Sequence, residues 1–500
     1  MTSERRPRSF IRHTATYAIG NFARRIVGFA MLPIYTRFLT PAEYGVVGLL
    51  TFALALFEPI FGARMGWAIP KFYFDAIDER EKRAVIWGAL GLTGAVSAAS
   101  MCVLIALRGV GSHILFGDNR YALAFGVFVV NLLSQPIEGT GWTYLRLHER
   151  SGLFLVFSVV KLAFQVALNL YLVVYLREGV LGVVVSGVVT SVLMSVWLTL
   201  YVAVREAPVF DWRISRRMLQ FCWPLWLSSL AGLYIGSSGA VYLRMFDTLS
   251  DVGRLEVALK FATVVGVFWG PFFQHWEPMS FKYHKEDGGE RKFQVAFIAM
   301  AAVLFVAGSG ISIFAGPVIR LMTTKAFYTA ARVVPILALG AILNVLKSFF
   351  NFGFFVSGRT KVHTLCQYLT AAVITIGYVL LIPRLGLMGA AVAQCLAFAA
   401  SFVYLYGFSR RYYDPKINFM PMAGYMLTGV VAYVCADLVL RIANPVLDLI
   451  VKSFVLILAT GGITFVGLRA IKAVDPLAVE SLPWPLNRLG NLQLGRQLES

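Results

Sequence analysis

The chain has 500 residues, of which 58% are hydrophobic and 14% charged, and its mean hydropathy is +0.72. This composition excludes a soluble globule with a polar surface and indicates that lipid surrounds most of the chain. The formal net charge of +19 is spread over many short loops, which favours contact with anionic lipid head groups and argues against a nucleic-acid partner.

Apolar stretches long enough to cross a bilayer follow one another along the sequence. A hydrocarbon core of roughly 30 Å needs about 20 mainly apolar helical residues. An apolar run of full span length follows the basic N-terminal segment without a small-residue cleavage site, so we expect an uncleaved first helix. The sequence thus predicts an all-α integral membrane protein with about fourteen transmembrane helices, at residues 13–36, 44–68, 84–107, 121–145, 153–176, 180–204, 218–243, 256–278, 293–315, 331–356, 362–382, 388–409, 420–440 and 449–470.

Lysine and arginine residues are unevenly divided between the two sides of these spans. With the N-terminus placed in the cytoplasm, the inner segments hold about 27 of the 45 basic residues and the outer loops about 10. This asymmetry predicts that both termini are cytoplasmic.

Two short matches indicate an internal repeat. Residues 37–45, after the first span, resemble residues 244–253, after the seventh, and residues 177–182 resemble residues 384–389 at an offset of about 207 residues. Each match occupies the same place in the order of spans, so we expect two six-helix lobes of parallel topology plus two extra helices. The expected limits are 1–212 for the N-terminal lobe, 213–416 for the C-terminal lobe, 417–472 for spans thirteen and fourteen, and 473–500 for a cytoplasmic tail.

Permanent positive charges lie inside the predicted spans. Arg24 and Arg25 lie about 11 residues, or roughly 16 Å, into the first span, near the middle of the membrane. If both side chains reached the inner surface instead, the apolar stretch left before Arg37 would be too short to cross without strong tilt or bilayer thinning. We therefore expect both to face a cavity. The other candidate substrate-binding cations are Arg64, Lys161, Lys260 and Lys347.

Uncharged polar residues share helix faces with these cations. The shared faces combine Asn21 with Arg24 and Arg25, Lys161 with Gln165 and Asn169, and Asn344 with Lys347 and Asn351. Each lysine could equally form a hydrogen bond or ion pair between helices. Recurrence of the pattern on several spans favours a positively charged cavity with a polar lining.

Two acidic residues within spans, Glu58 and Glu138, allow two interpretations. Either they are protonation sites that couple transport to a proton gradient, or they neutralise nearby arginines and lysines and fix helix positions. The cysteines lack C-x-x-C spacing and the histidines lack an H-E-x-x-H motif, so the sequence predicts neither a metal nor a cofactor.

The segment 33–45, PIYTRFLTPAEYG, together with an asparagine-containing first span and the six-plus-six-plus-two plan, resembles the polysaccharide-transport branch of the MOP superfamily. The resemblance covers essentially the whole chain. It implies a flippase of the bacterial cytoplasmic (inner) membrane that carries undecaprenyl-pyrophosphate-linked oligosaccharide units, for O-antigen or exopolysaccharide biosynthesis, from the inner to the outer leaflet by alternating access. A polysaccharide polymerase complex would be its partner.

Other functions share parts of this description. A P-loop motif is missing from the sequence, which argues against direct drive by ATP, and the short outer loops hold few acidic residues, which argues against an enzyme. A multidrug exporter of the same superfamily would favour carboxylates for cationic drugs rather than arginine and lysine. A peptidoglycan-precursor flippase shares both the plan and the sign of charge, so it stays an alternative.

Overall fold

The computed structural model describes residues 27–61, 65–267, 269–357, 359–439, 445–476 and 478. Every regular element in these ranges is a helix, so the expected all-α fold is confirmed. The fourteen spans stay a prediction. Nine helices of the described part are long and apolar enough to cross a membrane: Pro41–Pro59, Glu79–Ala106, Asn119–Leu147, Ser151–Tyr175, Gly179–Arg205, Gly289–Met322, Val334–Phe354, Lys361–Ser409 and Leu447–Val474.

The chain divides into two compact units. The first unit comprises the described residues up to Glu256 together with Met322–Ala326, and the second comprises Val257–Leu321 and the described residues from Phe327 onward. The lobe limits expected from the repeat stay a prediction.

The first unit contains eleven of the labelled helices in the described ranges and the beginning of a twelfth. They are α1 (Leu32–Phe38), α2 (Pro41–Phe61), α3 (Ile69–Asp75), α4 (Glu79–Ala106), α5 (Arg108–Phe116), α6 (Ala122–Val129), α7 (Asn131–Leu147), α8 (Ser151–Asn169), α9 (Gly179–Arg205), α10 (Trp212–Ser237), α11 (Gly239–Phe246) and the start of α12 (Leu249–Ala262).

The second unit holds the end of α12 and most of the later helices. They are α13 (Trp269–Tyr283), α14 (Gly289–Met322), α15 (Val334–Leu346), α16 (Asn351–Val356), α17 (Thr360–Ser409), α18 (Met420–Val434) and α19 (Pro445–Val474). A short 3-10 segment, Lys347–Phe350, joins α15 to α16.

Helices α8 and α9 form an antiparallel hairpin. After α8 and a π-helical turn, the chain reverses at Gly179, whose φ of +55° suits a residue without a side chain. The backbone N–H of Glu178 donates to the carbonyl of Leu172 over 3.0 Å. Further from the turn, the rings of Phe157 and Trp197 lie 5.2 Å apart. Contacts therefore continue along both arms.

Helix α17 is a second hairpin. Its 50 residues would extend about 75 Å as one straight helix, more than twice the hydrocarbon thickness. Gly386 interrupts it with φ 53° and ψ −131°. Gly389 then packs against the carbonyl of Leu381, and a Cβ on Gly377 would lie 3.0 Å from that of Ala393. The two arms are antiparallel, as the separate spans 362–382 and 388–409 predict.

The two sequence matches also share local geometry. Gly179 and Gly386, which occupy the same position in one match, both have positive φ. In the other match, Thr40 with Glu43 and Thr248 with Asp251 form the same type of helix-capping contact, in which the backbone N–H of the acidic residue donates to the threonine hydroxyl over 3.2 Å. Equivalent residues thus begin α2 and α12 in the same way.

Within the first unit, α2 and α12 cross at two glycines. Gly45 packs against the carbonyl of Leu249, and Gly253 packs reciprocally against the carbonyl of Pro41. Only a residue without a Cβ permits backbones to approach so closely. This crossing therefore depends on glycine at both positions.

We expect Gly253→Ala to lower the stability of the protein by about 1–3 kcal/mol, because the added methyl group meets rigid backbone rather than a side chain that can move. The measurement is the unfolding midpoint of the purified protein in detergent. Gly187→Ala is the matched control, since its helical Cβ would meet nothing within 4 Å. Equal midpoints for the two variants would show that the crossing is not tight.

Candidate functional site

A buried carboxylate lies at the centre of a polar cluster in the first unit. Glu138, on α7, is 5% exposed. Lys161 of α8 places its Nζ 2.5 Å from Oε1, and the indole N–H of Trp142 donates to the same oxygen over 2.7 Å. The hydroxyl of Ser191, on α9, donates to Oε2 over 3.0 Å. Both carboxylate oxygens are therefore hydrogen-bonded.

This cluster joins three helices and cancels two charges. A buried carboxylate is stable when it is paired and its remaining lone pairs are satisfied. Lys161 supplies the counter-charge, while Trp142 also packs its ring 4.8 Å from that of Phe154. The contacts support the interpretation in which Glu138 neutralises a cation and fixes helix positions. A coupling role for Glu138 stays a prediction.

The polar stripe beyond Lys161 has unfilled hydrogen-bonding capacity. The side-chain amide of Asn169 donates to the backbone carbonyl of Gln165 over 3.0 Å, while its Oδ1 is buried without a partner among the described residues. On α7, Asn131 Oδ1 and Ser134 Oγ are likewise buried without a hydrogen-bond partner among the described residues. Gln165 itself is half-buried.

The second unit contains a buried lysine. Lys347 precedes α16, faces the α17 hairpin and is 7% exposed. Its Nζ donates to Ser401 Oγ over 3.2 Å and lies 5.3 Å from the ring centroid of Phe398. Among the described residues, no carboxylate oxygen comes within 4 Å of this nitrogen. The charged form of Lys347 thus has one hydroxyl acceptor and one aromatic face.

Hydroxyl groups continue from Lys347 along the hairpin. Thr370 Oγ1 donates to Ser401 Oγ over 3.1 Å and also hydrogen-bonds to the hydroxyl of Tyr404. Ser401 and Thr370 are fully buried, whereas Tyr404 is half-buried. The titratable side chains that interact electrostatically with Lys347 are Cys366 and His363. We call the three hydroxyl-bearing residues Ser401, Thr370 and Tyr404 the hydroxyl chain of the second unit.

The other residues predicted for the site lie on several different helices. Lys260 is half-buried in the last turn of α12, and its carbonyl accepts a hydrogen bond from Thr263. Glu58 is half-buried in α2 beside Pro59. Asn344 is half-buried in α15, and Asn351 begins α16 with its Oδ1 buried and unpartnered among the described residues. Four of the predicted residues lie outside the described residues: Asn21, Arg24, Arg25 and Arg64.

Sequence reasoning missed one buried ion cluster. Lys452 of α19 is 5% exposed and lies 3.1 Å from Asp448 and 3.7 Å from Asp437. Arg441, which follows Asp437 by four positions, lies outside the described residues. The four-residue spacing of Asp448 and Lys452 is the signal that could have identified the pair.

Comparison with known families gives the assignment that the geometry alone does not. The model of the polysaccharide biosynthesis protein family matches residues 10–284. The chain belongs to this family. One curated relative, an uncharacterized membrane protein of Methanocaldococcus jannaschii, is 20% identical over 289 residues. That match covers 56% of this chain and 55% of the relative, so the chain spans about half the length of that protein.

Solved structures show the same fold. The chain is similar to the Lipid II flippase MurJ in an inward closed conformation, with a TM-score of 0.73 and 14% identity over 91% of this chain and 98% of that one. It is also similar to an inward-facing multidrug resistance MATE family transporter of the MOP superfamily, with a TM-score of 0.61 and 15% identity over 79% and 94% of the two chains. The expected MOP-superfamily fold is confirmed, and the protein is a multi-pass membrane protein.

Proposed function

We propose that the protein is a flippase that moves undecaprenyl-pyrophosphate-linked oligosaccharide units from the inner to the outer leaflet of the bacterial cytoplasmic membrane. It works by alternating access, carries out no covalent chemistry, and supplies units for O-antigen or exopolysaccharide synthesis. One observation carries the proposal: a family of polysaccharide biosynthesis proteins matches residues 10–284 of a chain that has a transporter fold.

Charge supports an anionic substrate. A pyrophosphate must exchange water for donors and positive charge when it enters a protein. Six arginines and lysines of the predicted spans are candidate substrate-binding cations, and within the described residues Lys161 and Lys347 are enclosed by contacts inside their own units. We assign direct contact with the pyrophosphate to Arg24 and Arg25, and keep Arg64 and Lys260 as further candidate cations of the positive interior. Lys347 adds a positive charge inside its own unit, whereas the charge of Lys161 is balanced by Glu138.

Membrane placement follows from the distribution of basic residues. Both termini are placed in the cytoplasm, where their positive charges meet anionic lipid head groups. The polyprenyl tail stays in lipid while the head group crosses in water. A polysaccharide polymerase complex then receives the unit at the outer leaflet.

The similarity to MurJ favours a second candidate. A flippase for the peptidoglycan precursor would share the fold and the positive charge. The two candidates differ in the lipid that accumulates when the protein is removed. A multidrug exporter, represented among the similar structures by the MATE transporters, would leave both lipid pools unchanged.

Depletion of the protein in its own cell tests the proposal. The measurement is the amount and sidedness of lipid-pyrophosphate-linked oligosaccharide in the inner membrane. We expect complete units to accumulate facing the cytoplasm, because their synthesis continues while their translocation stops. Accumulation of peptidoglycan precursor instead would support the second candidate, and truncated units or an unchanged lipid pool would contradict both.

A further inference from the structure

We propose that Lys347 is the site at which the second unit takes up and releases a proton during the transport cycle, and that Ser401, Thr370 and Tyr404 conduct this proton. The inference rests on the proposed function in one respect: translocation of the substrate is the process to which proton exchange is coupled. It assigns the coupling role to a residue other than Glu58 or Glu138.

Burial without a counter-charge is the first argument. An ammonium ion that leaves water loses many hydrogen bonds, and lysine is almost never fully buried unless it is paired. Lys347 is 7% exposed, and its Nζ donates a hydrogen bond to one hydroxyl, Ser401 Oγ, over 3.2 Å. Such a position in a membrane protein marks a group with a function rather than a support for the fold.

The buried charges of the two units, Glu138 and Lys347, differ in their surroundings. Glu138 and Lys347 both lie on a helical segment that faces an antiparallel hairpin, α8–α9 in one unit and α17 in the other. The hairpin of the first unit supplies Lys161 as an opposite charge, and that pair has no need to exchange protons. The α17 hairpin supplies Ser401, a neutral hydroxyl. The two places therefore differ in whether the buried charge is balanced.

The hydroxyl chain is the second and independent argument. A hydroxyl accepts one hydrogen bond and donates another, so a row of them can pass a proton by a sequence of short transfers. From Lys347 the row runs through Ser401 and Thr370, both fully buried, to the half-buried Tyr404. It thus leads from the buried amine to a hydroxyl that is less buried than the others.

The proton balance is simple. In the structure the Thr370 hydroxyl donates to Ser401 Oγ, so the hydroxyls of Ser401 and Thr370 first rotate until Ser401 donates to Thr370 and Thr370 donates to Tyr404. The ammonium of Lys347 then gives a proton to Ser401 Oγ, the proton of Ser401 passes to Thr370, that of Thr370 passes to Tyr404, and that of Tyr404 passes to water. The products are a neutral amine and a hydronium ion, and the charge of the unit falls by one. The reverse sequence restores the ammonium. Carbon–heteroatom bonds are unchanged throughout, and no redox partner is required.

Proton uptake by the purified protein tests this site without any substrate. The protein in weakly buffered detergent receives a rapid acid jump from about pH 9 to about pH 5, and a pH-sensitive dye reports the protons bound per molecule. An ordinary lysine keeps its proton over this range. We expect Lys347→Met to bind one proton fewer than the wild type, since methionine fills a similar volume without a charge and such replacements preserve folding.

Lys361→Met is the matched control, because Lys361 is an exposed lysine on the same hairpin. Its proton count should equal that of the wild type. An unchanged count in Lys347→Met would overturn the proposal, because Lys347 would then hold one charge state throughout.

Conduction is tested by Thr370→Val, which preserves shape and removes the middle hydroxyl. We expect this variant to bind the same number of protons as the wild type but at least about 10-fold more slowly, as loss of one aligned donor interrupts the chain. Thr428→Val is its control, since in the described part of the chain that hydroxyl bonds only to the carbonyl of Gly424 in its own helix. Unchanged kinetics in Thr370→Val would contradict conduction through these residues.

Coupling is tested in proteoliposomes that contain lipid-pyrophosphate-linked oligosaccharide. A pH gradient should drive accumulation of the lipid in one leaflet by the wild type, while Lys347→Met should retain exchange at equal concentrations and lose the gradient-driven part. If the variant responds to the gradient as the wild type does, the proposal fails. If the wild type translocates no lipid, the proposed function fails, while the proton count still decides the role of Lys347.

Discussion

Replacement of both Arg24 and Arg25 by alanine is expected to reduce transport of lipid-linked oligosaccharide by about 100-fold or more, which corresponds to roughly 3 kcal/mol of lost substrate stabilisation. In the proposed function the two guanidinium groups would present fixed donors and two permanent charges to a pyrophosphate, and a phosphate that has left water depends on such charge-assisted bonds. The measurement is the rate of appearance of oligosaccharide at the outer leaflet, normalised to the amount of inserted protein.

Arg5→Ala with Arg6→Ala is the matched control, because it removes the same charge before the first predicted span. This control should transport at a rate close to that of the wild type. Normal transport by the Arg24 and Arg25 variant would remove these arginines from the site. Failure of that variant to insert would indicate a structural role instead.

Lys161→Met is expected to destabilise the protein by about 3–5 kcal/mol, because it leaves Glu138 as a buried carboxylate without a counter-charge. Trp142 and Ser191 would still donate to it, but neutral donors do not replace the ion pair. The measurement is the free energy of unfolding of the purified protein in mixed micelles. Lys347→Met should lower the stability much less, since it leaves no buried charge without its counter-charge.

The double variant Lys161→Met with Glu138→Gln, compared with the two single variants, measures the interaction energy between the two residues. Glutamine keeps an acceptor for Trp142 and Ser191 and carries no charge, so we expect it to restore most of the lost stability. If the double variant is as unstable as the sum of the two single variants, the two residues act independently. The ion pair would then contribute nothing to the stability of the first unit.

Hydropathy and length predicted much of the helical architecture because lipid imposes a minimum apolar length on each span. The same reasoning separated the two arms of α17, where the Arg384–Gly386 segment matched the turn between α8 and α9. Gly179 and Gly386 explain why that match was informative, since positive φ at a turn favours glycine in both places.

The partners of the polar residues were harder to predict. A stripe of Lys161, Gln165 and Asn169 shows which residues share a helix face, but a cavity and a neighbouring helix both bury polar groups on such a face. Ser191 lies 53 positions from Glu138, and sequence spacing carries no information about such a contact. For the same reason the sequence could not distinguish Lys161 from Lys347, although in the described residues Lys161 pairs with a carboxylate and Lys347 does not.

Reconstitution in vesicles tests whether this protein carries lipid-linked glycans across the membrane. The purified protein is placed in vesicles with a fluorescent undecaprenyl-pyrophosphate-linked oligosaccharide, and a membrane-impermeant reagent quenches the outer leaflet over time. We expect quenching to proceed beyond the half that faces outward, and Arg24→Ala with Arg25→Ala to stop at half. Quenching that stops at half with the wild-type protein would contradict the proposed function.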